Sequence, residues 1–245
     1  MKLQKTAYQA IYDKEDEHWW FLGRRKILST LLDALEPGGD WRVLDAGCGT
    51  GGNFPFLKAY GQVEGFDYSE EAVRFCRLRG EHQVLEASIY ELPYRDEAFD
   101  LVTCLDVIEH LRFDLPAFVE LGRVLKRGGY LLATLPAGPH LYSDFDCMAG
   151  HLRRYRFSEI RDLMRRSGFD IIRLTCYTTL VHPLTRYYRW RGNISAGRTK
   201  HVDGMETIFP PANRLLRMIL DLEAWVVSRW DLPRGASLVV LGMKK

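Results

Sequence analysis

Three glycines near residue 50 have the spacing of a ligand-binding turn. Gly47, Gly49 and Gly52 lie in the segment VLDAGCGTGG (43–52), which follows a short apolar run and precedes a predicted helix. Such a turn presents backbone N–H groups and lets a ligand approach the chain closely. The glycines also satisfy the G-x-G-x-x-G pattern of dinucleotide-binding folds, and Asp67, about 20 residues further on, is placed to hold ribose hydroxyls. A ligand that carries a ribose is therefore predicted here.

The charge of Asp45 separates two classes of such ligands. Asp45 precedes the glycines at the end of the first predicted strand. A carboxylate there repels a pyrophosphate and attracts an ammonium group. A cationic, amino-acid-like ligand fits better than a dinucleotide, and a nicotinamide-dependent dehydrogenase is the alternative for this turn.

The elements around the turn alternate between strands and helices. Strands are predicted at 41–47, 62–66, 83–87, 99–105, 129–135, 169–176 and 237–243. Helices are predicted at 51–59, from Ser69 to about residue 79, at 114–126, at 158–167 and at 212–229. This alternation is typical of an α/β fold, in which helices cover both faces of a parallel sheet. Residues 1–36 are expected to form a helical cap, and residues 178–235 a helical insertion before the last strand.

Five segments in order resemble class I S-adenosylmethionine-dependent methyltransferases. They are VLDAGCGTG, the acid Asp67, ELPYRDEAFDLV, DVIEHL and LKRGGYLLATLP, and they span most of residues 40–177. The resemblance implies a single methyltransferase domain over residues 1–245 and a Rossmann-like seven-stranded sheet of order 3-2-1-4-5-7-6, with the last strand antiparallel. It also implies a cofactor-binding core at 37–177 and 236–245, S-adenosylmethionine as cofactor and S-adenosylhomocysteine as product.

The resemblance also implies the cofactor contacts. They are Asp45, Gly47, Cys48, Gly49, Asp67, Tyr68, Ser88, Ile89 and Leu105. Asp45 and Gly47 would lie beside the methionine part and Asp67 would hold the ribose, the alternative for Asp67 being a solvated helix cap. Many relatives carry an acid at the position of Ser88, and that acid binds the amino group of the adenine. In this chain, backbone groups of Ser88 and Ile89 are expected to bind the adenine instead.

The segment EHWWFLGRRKIL (17–28) is similar to the opening of the type 11 and type 12 subgroup, where it would close over the cofactor. Trp19 and Trp20 could cover the sulfonium by cation–π attraction, and Arg24 could pair with the cofactor's carboxylate. The alternative is an aromatic cluster that packs the cap onto the sheet.

The loop at 136–155 follows the fifth strand, so it belongs at the substrate mouth. His151 is the candidate general base, since a Gly-His element occurs at this place in quinone-type O-methyltransferases, and a structural hydrogen bond is the alternative. Arg153, Arg154 and Tyr155 are the expected substrate contacts. For His110, after the fourth strand, two roles are left open: catalysis, or a helix-capping or packing role.

Basic residues are concentrated after residue 150. Residues 151–200 contain twelve Lys and Arg against three acids, which predicts an anionic partner: a charged substrate, an anionic bilayer or RNA. An apolar stripe in the helix at 212–229 is expected to be buried against the domain or a second subunit, with membrane contact or a lid as alternatives. The stripe consists of Leu215, Leu216, Ile219, Leu222, Trp225 and Val226.

Whole-chain composition excludes several classes of protein. A formal charge of +2 does not indicate a nucleic-acid binder. The five cysteines lie at least 28 residues apart, so neither a disulfide scaffold nor a local zinc site is indicated, and we expect a cytoplasmic protein without a metal ion.

The expected activity is methylation of a small molecule, at a hydroxyl and with an anionic or lipophilic part on the acceptor. An RNA methyltransferase is one alternative, although no appended RNA-binding module or Asn-Pro-Pro-Tyr-like motif is present. A non-catalytic scaffold that binds the cofactor is the other. No DNA partner is expected, and the protein is expected to be a monomer or a homodimer.

Overall fold

A computed structural model describes residues 5–183 and 209–245 of the chain. Its centre is one seven-stranded sheet of order β3-β2-β1-β4-β5-β7-β6. The strands are β1 (Trp41–Ala46), β2 (Gly61–Asp67), β3 (Val84–Glu86), β4 (Phe99–Leu105), β5 (Leu125–Pro136), β6 (Phe169–Tyr177) and β7 (Ser237–Lys244). β1 to β5 pair in parallel, and β7 inserts antiparallel between β5 and β6. The predicted fold class and strand order are therefore confirmed.

Eight helices are described in residues 5–183 and 209–245. They are α1 (Lys5–Lys14), α2 (Trp19–Asp33), α3 (Phe54–Leu57), α4 (Glu70–Leu78), α5 (Asp114–Val124), α6 (Asp144–Ala149), α7 (Phe157–Arg166) and α8 (Pro210–Val227). Short 3₁₀ turns occur at Ile108–His110 and Pro139–Leu141. Within the described ranges, no helix is both long and apolar enough to cross a bilayer.

The strands bury both of their faces, as the side-chain alternation of a covered sheet requires. Leu238 and Val240 of β7 belong to a core that also contains residues of α5 and α7. Val239 and Leu241 belong to a second core, which includes α2, α3, α4 and the end of α8. α2 is thus part of the core rather than a detachable cover, and the boundaries of the cap, core and insertion stay predictions.

Several predicted elements differ in length from the structure, two helices among them. The helix expected at 51–59 is the single turn α3, because glycines with positive φ precede it up to Gly51. The helix expected at 114–126 ends at Val124, and β5 begins at the next residue. β5 then pairs with β4 through an irregularity, since Phe99 faces Leu125 while Leu101 faces Tyr130.

Half of the predicted apolar stripe of α8 is not buried against the domain, and burial of that half against a second subunit stays a prediction. Leu215, Leu222 and Trp225 are more than half exposed, whereas Glu223 is fully buried. This orientation of α8 is explained by hydrogen bonds. The Glu223 carboxylate accepts them from the backbone N–H groups of Thr179 and Leu180, at 2.8 and 3.0 Å. These bonds turn the Glu223 side of α8 toward the sheet, and the apolar residues beside it face outward. Of the insertion predicted at 178–235, residues 184–208 lie outside the described part.

Helices α2 and α8 approach closely at Gly23. A Cβ atom on Gly23 would lie 2.2 Å from Cδ1 and 2.6 Å from Cβ of Leu220. Real carbon atoms do not approach that closely, so the helix spacing depends on the missing side chain.

We expect Gly23→Ala to lower the free energy of unfolding by about 1–3 kcal/mol, because overpacking outweighs the gain in helix propensity. Gly122→Ala in α5 is the matched control, since its Cβ would lie 3.4 Å from the Phe169 ring and fit without strain. Urea denaturation of both variants measures the difference. Equal stability of the two variants would contradict the close approach.

Candidate active site

The glycine turn lies between the ends of β1 and β2. Gly47 and Cys48 donate backbone hydrogen bonds to Phe66 O, at 2.8 and 2.9 Å. Gly47 and Gly49 have φ values of 73° and 56°, in the left-handed region that favours glycine. A Cβ on Gly49 would meet nothing within 4 Å, so that side of the turn is open to a ligand.

Asp67 is fixed against this open side. Its two carboxylate oxygens accept hydrogen bonds from Gly49 N, at 3.0 Å, and from Ser69 N, at 2.9 Å. Burial raises the pKa of Asp67 above its usual value. Asp67 therefore joins the turn to the start of α4, and its oxygens keep lone pairs for ribose hydroxyls.

The other implied contacts at the ends of β2, β3 and β4 lie around Asp67. Tyr68 is well exposed, while Ile89 and Leu105 are buried. Ala87 N donates to Asp67 O at 3.0 Å, which brings the loop of Ser88 to the same edge of the sheet. These residues thus share one edge of the sheet, and the adenine and ribose contacts stay predictions.

Cys48 is one of the implied cofactor contacts. Its thiol is buried in the core, and Sγ lies 3.8 Å from Sγ of Cys76. Burial and the neighbouring thiol raise the pKa of Cys48 well above its usual value, so the side chain is a neutral packing group. A ligand on the turn can reach only the backbone of Cys48.

Asp45 lies at the end of β1 and is 1% exposed. Thr103 Oγ1 donates to its Oδ1 at 2.7 Å, whereas Oδ2 has no hydrogen-bond partner in the described part of the chain. Burial raises the pKa of Asp45 to about 6, against the opposing effect of the Thr103 hydrogen bond. A buried carboxylate oxygen without a partner is unfavourable, and a ligand ammonium group would satisfy it.

Arg24 of α2 is buried beside the same edge. Its guanidinium pairs with Asp106 and donates from Nη2 to Asn53 Oδ1 at 3.3 Å. The Trp20 ring lies 4.7 Å from Arg24 Cζ, so this indole covers the guanidinium. Among its three nitrogens, Nε has no partner in the described residues. The expected pairing of Arg24 with a cofactor carboxylate stays a prediction, and in the structure Asp106 holds the guanidinium.

Both tryptophans of the cap pack against one apolar cluster. Trp19 is buried in it with Val181 and Leu220, and the partly buried Trp20 packs against it. The Trp20 ring also covers Arg24. The packing role is therefore present in the structure, and cover of the sulfonium stays a prediction.

A second group of side chains lies in the loop after β5, around Asp146. This carboxylate is fully buried and accepts hydrogen bonds from His151 Nδ1, at 3.0 Å, and from Arg154 Nε, at 2.8 Å. Although burial opposes it, the hydrogen bonds from His151 and Arg154 hold the pKa of Asp146 well below its usual range. Because Asp146 is ionised, Nδ1 of His151 carries the proton and Nε2 presents its lone pair.

Two of the predicted substrate contacts are corrected. Arg154 is buried, and besides Asp146 it donates to Ala137 O at 3.1 Å, so it fixes the loop instead of a substrate. Tyr155 is 3% exposed and packs in the core, with its hydroxyl 3.5 Å from Asp114. Arg153 is partly exposed and is engaged by Asp114 and two backbone carbonyls.

His110 and Glu109 complete this second group. His110 Nδ1 faces Gly150 O at 3.0 Å, and burial together with the neighbouring His151 lowers the pKa of His110 to about 4. Glu109 is fully buried, neither of its carboxylate oxygens has a hydrogen-bond partner in the described chain, and Oε1 lies 3.8 Å from His151 Nε2. Burial and the charge of Asp106 raise the pKa of Glu109 well above its usual value.

Sequence reasoning missed the role of Asp146. The spacing of Ser143 and Asp146 is that of a capping box, and the structure contains that box at the start of α6. A capping signal could have located Asp146 at a helix start, but its contacts with His151 and Arg154 depend on the path of the loop beyond Gly150.

S-adenosylmethionine fits the residues around the glycine turn. The turn at Gly49 is open, Asp67 can accept from the ribose, and the unpartnered oxygen of Asp45 suits the ammonium group. No side chain of this set favours a pyrophosphate.

Comparison with known proteins agrees with this assignment. Residues 44–133 match the family described as a methyltransferase domain. A probable S-adenosylmethionine-dependent methyltransferase of Mycobacterium tuberculosis is 31% identical over 172 residues, which cover 68% of this chain and 61% of that protein. The chain thus spans less than two thirds of that relative's length. A ubiquinone biosynthesis O-methyltransferase of Thiobacillus denitrificans is 27% identical over 188 residues, covering 64% of this chain and 76% of the relative.

A solved structure has the same fold. The putative methyltransferase of Bacillus halodurans is 21% identical and superimposes with a TM-score of 0.59, covering 89% of this chain and 98% of that one. Together with the glycine turn, Asp67 and the strand order, these similarities identify the family. The chain belongs to the class I methyltransferases, whose cofactor is S-adenosylmethionine.

Proposed function

We propose that the protein transfers the methyl group of S-adenosylmethionine to a hydroxyl of a small-molecule acceptor. The proposal of a hydroxyl as the methyl acceptor rests on the imidazole of His151, whose Nδ1 is held by a buried, ionised Asp146. A hydroxyl needs a proton acceptor during methylation, whereas an amine can attack as a neutral nucleophile. The name of the Thiobacillus denitrificans relative, an O-methyltransferase, supports the same choice.

S-adenosylmethionine supplies an activated methyl group on a positively charged sulfur. The chain's own residues then have two tasks, because displacement of a good leaving group requires mainly orientation and a base. Asp67 and the open side of Gly49 hold the nucleoside, and Asp45 holds the ammonium group. In the protein without a metal ion, Nε2 of His151 takes the proton of the substrate hydroxyl. Asp146 stabilises the imidazolium that forms.

The arginines of the mouth favour a small acceptor over RNA. A phosphate backbone is bound by arginines whose guanidinium groups remain exposed. Arg153 donates to Leu111 O and Arg112 O, at 3.1 and 3.0 Å, and Arg154 is buried. Their positive charge is therefore directed into the chain, which leaves an uncharged or weakly charged acceptor as the better substrate class at this loop.

Asp67→Ala tests the ribose contact. The change should weaken the binding of S-adenosylhomocysteine by about 1.5–3 kcal/mol, because hydrogen bonds to a carboxylate are lost. Isothermal titration calorimetry measures the affinity. Glu86→Ala is the matched control, since Glu86 lies beside Asp67 in the sheet register and is exposed. An Asp67→Ala variant that binds as tightly as the Glu86→Ala variant would refute the ribose contact.

The raised pKa of Asp45 predicts a pH dependence of cofactor binding. Asp45 is ionised above about pH 6 and protonated below it, and only the ionised form attracts an ammonium group. The affinity for S-adenosylhomocysteine should therefore fall about tenfold per pH unit below 6. Calorimetry between about pH 5 and pH 8 measures this. Asp45→Asn should weaken binding at neutral pH and flatten the profile, and a profile as steep as that of the native chain would exclude Asp45 as its source.

His151→Ala should lower the rate of methyl transfer by about 10² to 10⁴, with the affinity for S-adenosylhomocysteine nearly unchanged. His140→Ala is the matched control, because His140 is exposed in the same loop. Single-turnover transfer of a labelled methyl group to a panel of phenols and alcohols gives the rate. Equal rates in the two variants would show that His151 has a structural role alone.

A further inference from the structure

Three potential metal ligands converge at the substrate side of the sheet. They are Glu109 and His110, in the 3₁₀ turn after β4, and His151, after α6. One ligand atom of each lies within 4.8 Å of the others. We call this set the Glu109 cluster.

Both imidazoles of the cluster have the same arrangement of hydrogen bonds. Nδ1 of His110 donates to Gly150 O, because a carbonyl oxygen can only accept, and Nδ1 of His151 donates to the ionised Asp146. In the neutral tautomer of each ring, the lone pair therefore lies on Nε2. Metal-binding histidines almost always have this second contact, which fixes the ring and the tautomer.

The burial of Glu109 is an independent observation that indicates a bound cation. Its carboxylate is fully buried and neither oxygen has a hydrogen-bond partner among the described residues. The nearby Asp106 cannot relieve this, because it is itself an acid and is paired with Arg24. A buried carboxylate without a partner is strongly unfavourable, and a bound cation removes the deficit.

We propose that the Glu109 cluster binds one divalent transition-metal ion, with zinc-like preference. Two imidazole nitrogens and one carboxylate oxygen are typical ligands of Zn²⁺, Co²⁺ and Mn²⁺, and they leave an open coordination position. Bonds of about 2.1 Å in a tetrahedral site separate ligand atoms by about 3.4 Å. His151 Nε2 and Glu109 Oε1 are already 3.8 Å apart, so small side-chain rotations complete the site.

The open position would face the acceptor, and this consequence rests on the proposed function. A metal ion that binds the acceptor oxygen lowers the pKa of the hydroxyl, so the O–H bond breaks and its proton passes to solvent. The resulting alkoxide or phenoxide attacks the methyl carbon while the carbon–sulfur bond breaks, and its electron pair stays on sulfur. In the loaded protein, His151 is thus a ligand of the ion and no longer the base. This proposal departs from the sequence-based expectation of no metal ion.

Cobalt(II) titration of chelator-treated protein tests the site itself. We expect one ion per chain, with the intense visible absorption of a four- or five-coordinate Co²⁺ ion, and displacement of that ion by Zn²⁺. Glu109→Gln and His151→Gln should each weaken binding more than about tenfold, and Asp146→Asn by about 10- to 100-fold. His140→Ala and Cys147→Ser are the matched controls, because they remove an exposed imidazole and an exposed thiol nearby.

The outcomes separate the metal site from the proposed function. Absence of binding, or equal binding in the Gln variants and the native chain, would overturn the site. Because Glu109→Gln alters a buried group, thermal unfolding checks that each variant folds, and the partly exposed His151 gives a variant that should fold in any case. Zn²⁺ should raise the melting temperature of the native chain and not that of His151→Gln.

Methyl transfer in the presence of chelator tests the catalytic part. Transfer at full rate without the ion would overturn the metal's role while the proposed function stands. Binding of the ion at the cluster, with no hydroxyl acceptor methylated, would instead contradict the proposed function and leave the site intact.

Discussion

Four carboxylates meet at the carboxyl edge of the sheet, and among the described residues two buried arginines pair with them. Arg24 holds Asp106, and Arg154 holds Asp146. Asp45 and Glu109 have no such partner, and each keeps at least one buried oxygen without a hydrogen bond. This shortage of positive charge determines the chemistry of the edge, because ligands that bring a cation relieve it. The ammonium group of the cofactor suits Asp45, and a divalent ion suits Glu109.

The two arginine pairs also join the site to distant parts of the chain. Arg24 belongs to α2, whose other buried residues pack under the sheet, and Arg154 belongs to the loop that leads into α7. Removing one member of a buried pair leaves an uncompensated charge, at a cost of about 3–5 kcal/mol. A further buried acid, Glu15, follows α1 and binds Thr50 of the glycine turn and Arg79, the latter at 2.8 Å. The N-terminal helices are thus tied to the cofactor site by charge as well as by packing.

The sequence predicted the strands of the sheet and the position of the glycine turn well, for a physical reason. Buried parallel strands are continuous apolar runs, and the glycines and Asp67 are required by the local geometry of one turn. It predicted side-chain direction poorly where that direction is set by distant contacts. Glu223 is buried because two backbone N–H groups of another segment need an acceptor. Arg154 is buried because its guanidinium binds the buried carboxylate of Asp146. No periodic pattern within one helix or loop contains that information.

The basic excess after residue 150 shows the same limit. In the described part of that stretch, six of the seven arginines form ion pairs with acids. The pairs are Arg153 with Asp114, Arg154 with Asp146, Arg156 with Glu159, Arg165 and Arg166 with Asp162, and Arg173 with Asp231. Three of these acids, Asp114, Asp146 and Asp231, lie outside residues 151–200. Their pairs with Arg153, Arg154 and Arg173 are internal to the fold and offset three of the nine excess positive charges. The expectation of an anionic partner therefore depends mainly on the basic residues at 186–200, which lie outside the described ranges.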